Sequence, residues 1–297
     1  MQVHHSSTAP DYNAGELRSG TLETKVLAVG KEGALDCYRM SLECARVEGG
    51  WQTPRHRHNV DQIRFQIEGN WSFGKDQVLV PGMVSYFPES IHYGPQDRMH
   101  GSKTLLCQFG GASRNGFMTP RQRRKGYDDL IKKGRFENGA YTWFDEKGGK
   151  HNQDAYEAVW EHMHGRKMVY DPPRYESVVN MRPENFAYIP APNEPGVAYK
   201  WIGCFTENNV RVGFIRVDAG ATLNVGTHNA PQVYYLWKGK ISHGGKIHLP
   251  ETGFGLEAKE GPIGLKAVEQ CEIYTIQLPT FADAAVSNAR PGAEKAA

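Results

Sequence analysis

The chain has 297 residues and carries 35 Lys+Arg against 33 Asp+Glu, a formal charge of +2, which gives no case for a nucleic-acid or charged-membrane partner. No apolar run reaches the ~18 residues of a spanning helix, and Met1–Pro10 holds no hydrophobic signal core, so a cytoplasmic chain is expected. The length suffices for one large or two medium domains, and 33 Gly with 17 Pro lean towards turn-rich β structure.

Residues 1–20 are polar and read as a flexible arm. Between 21 and 111, β-favouring runs recur at Thr24–Val29, Tyr38–Leu42, Trp71–Phe73, Met83–Phe87 and Lys103–Phe109. Turns at Gly69-Asn70, Gly74-Lys75-Asp76 and Pro81-Gly82 separate them. Many short strands with regular turns predict an all-β barrel or sandwich. Residues 112–200 break the rhythm as a partly helical connecting region. Arg121, Arg123, Arg124 and Lys125 read as a solvated basic loop, and Tyr127–Lys133 and Asp154–His164 read as helices, the second stopped by Gly165. Pro172, Pro173, Pro183, Pro190, Pro192 and Pro195 mark a crossover. Residues 201–282 form a second β domain and 283–297 a flexible tail. The five cysteines (Cys37, Cys44, Cys107, Cys204, Cys271) are scattered and lack any Cys-x-x-Cys, as in reduced, mostly buried thiols.

The chemistry concentrates in Pro54–Gly69. His56 and His58 are two apart, and on a strand residues i and i+2 share a face, so the two imidazoles make half of a metal site. The Gly82 turn and the strand after it return His92 towards that face as a third ligand. Three neutral imidazoles leave coordination positions open and leave the ion its full charge, which attracts an anionic chelating substrate. Gln62 and Arg64 share strand parity. Gln62 either hydrogen-bonds within the barrel or ligates the metal through its amide oxygen. Arg64 either clamps a substrate carboxylate or pairs with Glu68 or Asp61. Trp71, Phe73 and Tyr86 either flank a flat ring or pack the core. His162 and His164 form another His-x-His, but on a helix their side chains diverge.

The first pattern returns later in the chain. Arg216-Val217-Asp218-Ala219-Gly220 echoes Arg46-Val47-Glu48-Gly49-Gly50, and the same ungapped offset sets His228 on His58, Asn229 on Asn59, Gln232 on Gln62 and Gly239 on Gly69. Such a repeat implies two copies of one fold. Gly226 stands where His56 would be, and no His matches His92, so the second barrel is expected to be metal-free and structural or dimer-forming.

Gly50, His56, His58, Gln62 and Gly69, followed by Gly82, Pro88 and His92, resemble the two motifs of the cupin superfamily, with Gln62 where metal-binding members usually carry Glu. The repeat extends the resemblance to a bicupin of two jelly-roll barrels. His56-Arg57-His58 with Arg64-Phe65 and Ile67-Glu68-Gly69 further resembles the active strand of gentisate 1,2-dioxygenases and their salicylate relatives. That likeness implies Fe(II) on His56, His58 and His92, with Arg64 as a catalytic residue on the substrate carboxylate; Gln62, where that family usually has a small residue, is a further catalytic candidate beside it. It also implies O2 and an anionic aromatic acid as reactants, in a homodimer. Zn, Mn, Ni and Cu suit the same ligands. The competing classes are a redox-neutral metal-dependent isomerase, lyase or hydrolase, and a non-catalytic small-molecule binder.

Overall fold

The computed structural model describes residues 1–12, 22–45, 51–111, 113–206 and 208–281. Two antiparallel β sandwiches form the molecule. In the first, a six-stranded sheet runs Val179–Met181, Val84–Phe87, Val60–Glu68, Lys103–Gly110, Tyr38–Cys44, Glu23–Val29. A four-stranded sheet, Trp51–Thr53, Gln96–Arg98, Trp71–Gly74, Gln77–Leu79, covers one of its faces. The second sandwich repeats the plan. Its seven strands are ordered Gln2–His5, Thr252–Leu256, Gln232–Lys238, Cys271–Gln277, Val210–Val217, Val197–Phe205, Ile189–Pro190, and Thr222–Val225, Ile263–Ala267, Ile241–His243 and Lys246–His248 cover them.

Strand alternation decides where each side chain goes. Along Val60–Glu68, Ile63 and Phe65 join a core shared by the two barrels, where Phe65 stacks on Tyr274 at 5.1 Å and Tyr86 on Phe205 at 4.3 Å. Gln62 and Arg64 alternate to the other face and point into the first barrel. Trp71, Phe73, Phe87, Ile91 and Tyr93 pack a second cluster there.

The register confirms the repeat rung by rung. In the first barrel Gln62 lies opposite Gln108, which lies opposite Arg39; in the second, Gln232 lies opposite Gln277, opposite Arg211.

Several expectations need correction. Residues 1–12 are not a loose arm. Gln2–His5 pairs with Thr252–Leu256 of the second barrel, Val3 packs on that barrel's core, and the terminal ammonium pairs with Glu260. The rest of the expected arm, Gly50 of the motif and the 283–297 tail lie outside the described residues. Arg121–Lys125 is not a loop but part of the helix α1, Pro120–Leu130. Thr119 caps that helix reciprocally with Gln122, and Pro120 occupies its first turn. The second helix, α2, spans Ala155–His164, with Asp154 as its cap and Gly165 left-handed at its end. A three-stranded sheet, Gly134–Glu137, Ala140–Phe144, Lys150–Asp154, lies between the helices and was not anticipated. The proline-rich crossover adds an edge strand to each barrel, Val179–Met181 to the first and Ile189–Pro190 to the second. All five thiols are free; four are buried and Cys204 is exposed. No helix among the described residues is long and apolar enough to cross a membrane.

Candidate functional site

The His-x-His lies just before the strand Val60–Glu68, in an extended segment that forms a bridge with the return loop. His56 and Tyr93 exchange backbone hydrogen bonds of 3.1 and 3.0 Å. Residues opposed in such a bridge project to the same side. The His56 ring therefore meets the Tyr93 ring at 4.7 Å, and the His58 ring lies 5.0 Å from His56 and 6.2 Å from Tyr93. Helix α2 closes this end of the barrel. Tyr156 packs edge-on to His58 at 4.9 Å and donates its hydroxyl proton to Asn59 at 3.1 Å.

His92 does not join the pair. It is exposed, and its buried neighbour Tyr93 occupies the inward position. One residue along the chain inverts the face a side chain presents, so Tyr93 and not His92 turns inward. The loop is tied in place where Asp61 Oδ1 accepts the Glu89 N–H at 2.7 Å and the His58 carbonyl accepts the Ser90 N–H at 2.7 Å.

Gln62 is buried and bridges two partners. Its Nε2 donates to Tyr93 Oη at 2.9 Å, and its Oε1 accepts from Arg64 Nη2 at 2.8 Å. Arg64 pairs with neither Glu68, which binds Lys103, nor Asp61. Its guanidinium lies 4.2 Å from the Trp71 ring centre and 5.1 Å from that of Phe87. Burial lowers its pKa to about 10, so it remains charged at neutral pH. Its Nε and Nη1 have no hydrogen-bond partner among the described residues. The aromatic candidates Trp71, Phe73 and Tyr86 are all fully buried in core packing.

Two further arginines and a glutamate, which no local motif signals, complete the interior. Arg98 Nη2 reaches Glu43 at 2.6 Å, and Arg39 stands 3.8 Å from the same carboxylate while donating to Gln108 at 2.7 Å. Burial raises the Glu43 pKa, but Arg98, Arg64 and Arg39 outweigh it and hold the carboxyl below its usual range. Three buried guanidiniums against one buried carboxylate leave two positive charges uncompensated within this cluster. All four groups line a cavity of about 70 Å³ that His56, His58, Gln96 and Tyr156 also line. The Pro54 carbonyl accepts from His56 Nδ1 at 2.7 Å, which leaves Nε2, 3.3 Å from the Gln96 amide, as an acceptor.

These residues do not fit the expected three-histidine Fe(II) centre. Among the described residues no three His, Cys, Asp or Glu side chains converge as a metal shell. The third position holds a phenol bonded to an amide that is itself bonded to a guanidinium, and a cation there opposes a second cation.

No family model and no curated protein matches the sequence. Solved structures match it across nearly its whole length. A "putative dioxygenase" from Nostoc punctiforme aligns over 95% of this chain and 86% of its own, with a TM-score of 0.59 and 10% identity. Oxalate decarboxylase of Bacillus subtilis, described with Mn(II) centres, aligns over 95% and 78%, with a TM-score of 0.51 and 14% identity. A "putative glyoxylate induced protein" of Pseudomonas aeruginosa aligns over 94% and 89%, with a TM-score of 0.55 and 10% identity. At such identities the likeness is one of fold, and it places the chain among two-barrel cupin folds.

Proposed function

We propose that the first barrel is the working half of a cupin enzyme acting on a small carboxylic acid. Arg64, Arg39 and Arg98 bind the anion, and His56 and His58 present the ring nitrogens that move a proton at it. The observation that supports this reading is the uncompensated positive charge of the buried arginine cluster. An isolated buried charge is costly, and a carboxylate ligand offsets that cost through charge-assisted hydrogen bonds. A cavity of about 70 Å³ is roughly half of the ~150 Å³ that holds benzene. It favours an acid of a few carbons over a hydroxylated aromatic acid. His56 Nε2, with the proton held on Nδ1, accepts a proton from the bound acid. The Tyr93 hydroxyl, which accepts from Gln62, fixes the amide whose oxygen accepts from Arg64 and so orients that guanidinium. Arg64 neutralises the carboxylate, which makes an adjacent carbon easier to deprotonate.

The metal-dependent alternative, including the O2-consuming Fe(II) reaction, is favoured by the edge-on approach of His56 and His58 at 5.0 Å and by the Mn(II) centres described for the Bacillus neighbour. One experiment separates the two. Elemental analysis of the purified protein is combined with titration calorimetry of acetate, oxalate, malonate, succinate and salicylate into wild type and Arg64→Met. Loss of a charged hydrogen bond costs about 1.5–3 kcal/mol, so affinity for the aliphatic acids should fall roughly 10- to 100-fold in the variant. Stoichiometric metal with oxygen uptake on salicylate would replace this reading with the dioxygenase. Absence of acid binding by the wild type would sink it.

A further inference from the structure

A cleft of about 780 Å³ opens in the second barrel, the one whose motif histidines are reduced to His228. Its position follows from the shared register. The rung Gln232–Gln277 matches Gln62–Gln108. One step along, Tyr234 opposite Thr275 opposite Gly213 replaces Arg64 opposite Leu106 opposite Ser41. One step further, Ile215 stands where Glu43 does. The two charged groups at the heart of the first site thus become a phenol and an aliphatic side chain in the second. Tyr199, opposite Ile215, replaces Thr24, opposite Glu43. Gly213 leaves space that Trp201 fills, since a Cβ there would lie 2.9 Å from the indole. Tyr199 and Trp201 form a near-parallel pair, 5.9 Å apart and 9° between planes, and Trp201 remains 42% exposed in the cleft.

We propose that the second barrel carries its own ligand site, for an uncharged ring compound bearing hydroxyl groups, of the class of neutral monosaccharides. Among the described residues the only charged side chain lining the cleft is Glu194, and it is committed locally: it accepts from the Tyr199 hydroxyl at 2.9 Å and from the Asn224 backbone at 3.5 Å. A fixed carboxylate with no Lys or Arg among the described residues that line the cleft disfavours an anion, which separates this site from the arginine-lined one. The aromatic wall suits the apolar C–H face of a sugar ring. The side-chain amides of Gln232 and Asn224, each both donor and acceptor, suit hydroxyls at its edge, and Gln277, whose Nε2 donates to the Asn209 carbonyl at 3.2 Å, adds its amide oxygen as an acceptor. The volume lies within the roughly 300–1,000 Å³ of small-molecule sites.

The test uses the full chain, with methyl glucoside, methyl galactoside and N-acetylglucosamine followed by intrinsic tryptophan fluorescence and saturation-transfer NMR. Glucuronate and benzamide serve as charged and aromatic comparators. Saturable millimolar or tighter binding of a neutral sugar is expected, weakened at least ~10-fold by Trp201→Ala, weakened also by Gln232→Leu, and not competed by acetate. Gln232→Leu guards against a Trp201→Ala protein that does not fold, which circular dichroism would report. Binding of benzamide or glucuronate in preference to the sugars would overturn the assignment. So would binding unaffected by both substitutions, or no saturable response to any sugar. Because acetate addresses the first barrel, failure here leaves the carboxylate reading untouched.

Discussion

At the scale of the residue, the site turns on Tyr93 and Gln62. The stretch from His56 to Gly69 was legible because its chemistry is local: two His and two polar residues at fixed strand parity. Tyr93 was not, because a loop of irregular geometry separates it from Pro88, and the apolar spacing of Ile91 and Tyr93 was the only hint of which residues turn inward. Arg39, Glu43 and Arg98 were missed for another reason. They sit on strands distant in sequence, and only the closed barrel brings them to Arg64. The donor set predicts its own correction. Tyr93→His should supply the missing third imidazole and retain roughly one divalent ion per chain after dialysis against Mn(II) or Zn(II), as a three-histidine site does. The wild type should retain far less. Equal loading of the two proteins, measured by elemental analysis, would show that Tyr93 is already an adequate ligand.

At the scale of the element, the loop Pro88–Tyr93 is held against the strand Val60–Glu68 by Asp61. That carboxyl is pushed up to about 7, first by burial and then by the nearby Glu89. In the unfolded chain it titrates near 4. Between those values the folded chain holds a proton that the unfolded chain has lost. The stability contributed is therefore full below about pH 4 and is lost as the pH rises through about 7. Asp61→Asn keeps the acceptor for the Glu89 N–H but cannot ionise. The wild type should lose on the order of 2–4 kcal/mol relative to this variant between pH 4.5 and pH 8. Urea midpoints at both pH values check this, and parallel profiles for the two proteins would remove Asp61 from the account. Helix α1 teaches a related lesson. Its basic residues obscured it, whereas Thr119-Pro120-Arg121-Gln122 already spelled out a capped start.

At the scale of the whole molecule, the repeat at constant offset announced two barrels, because strand parity and turn spacing are properties of the chain itself. Their mutual packing was hidden, since apolar alternation says that a face is covered but not by what. The structure answers with two glycines. A Cβ at Gly253 would lie 2.6 Å from Leu27 Cβ and 2.7 Å from Met40 Cε, and one at Gly255 would lie 2.7 Å from Ala28 Cβ. The second barrel thus omits side chains where the first barrel's strands lie against it, and Phe65, Phe214 and Tyr274 fill the remaining interface. This contact predicts a thermodynamic cycle across the two barrels. Gly253→Val overpacks the contact and should cost about 1–3 kcal/mol. Leu27→Ala leaves a cavity in the first barrel and should cost about 2–5 kcal/mol. Together they should cost less than their sum by about 1 kcal/mol or more, because the valine enters the space the leucine vacates. Denaturant melts of the four proteins measure the coupling. Strict additivity would mean that the two barrels do not share this contact in solution, and each would then have to be stable on its own core.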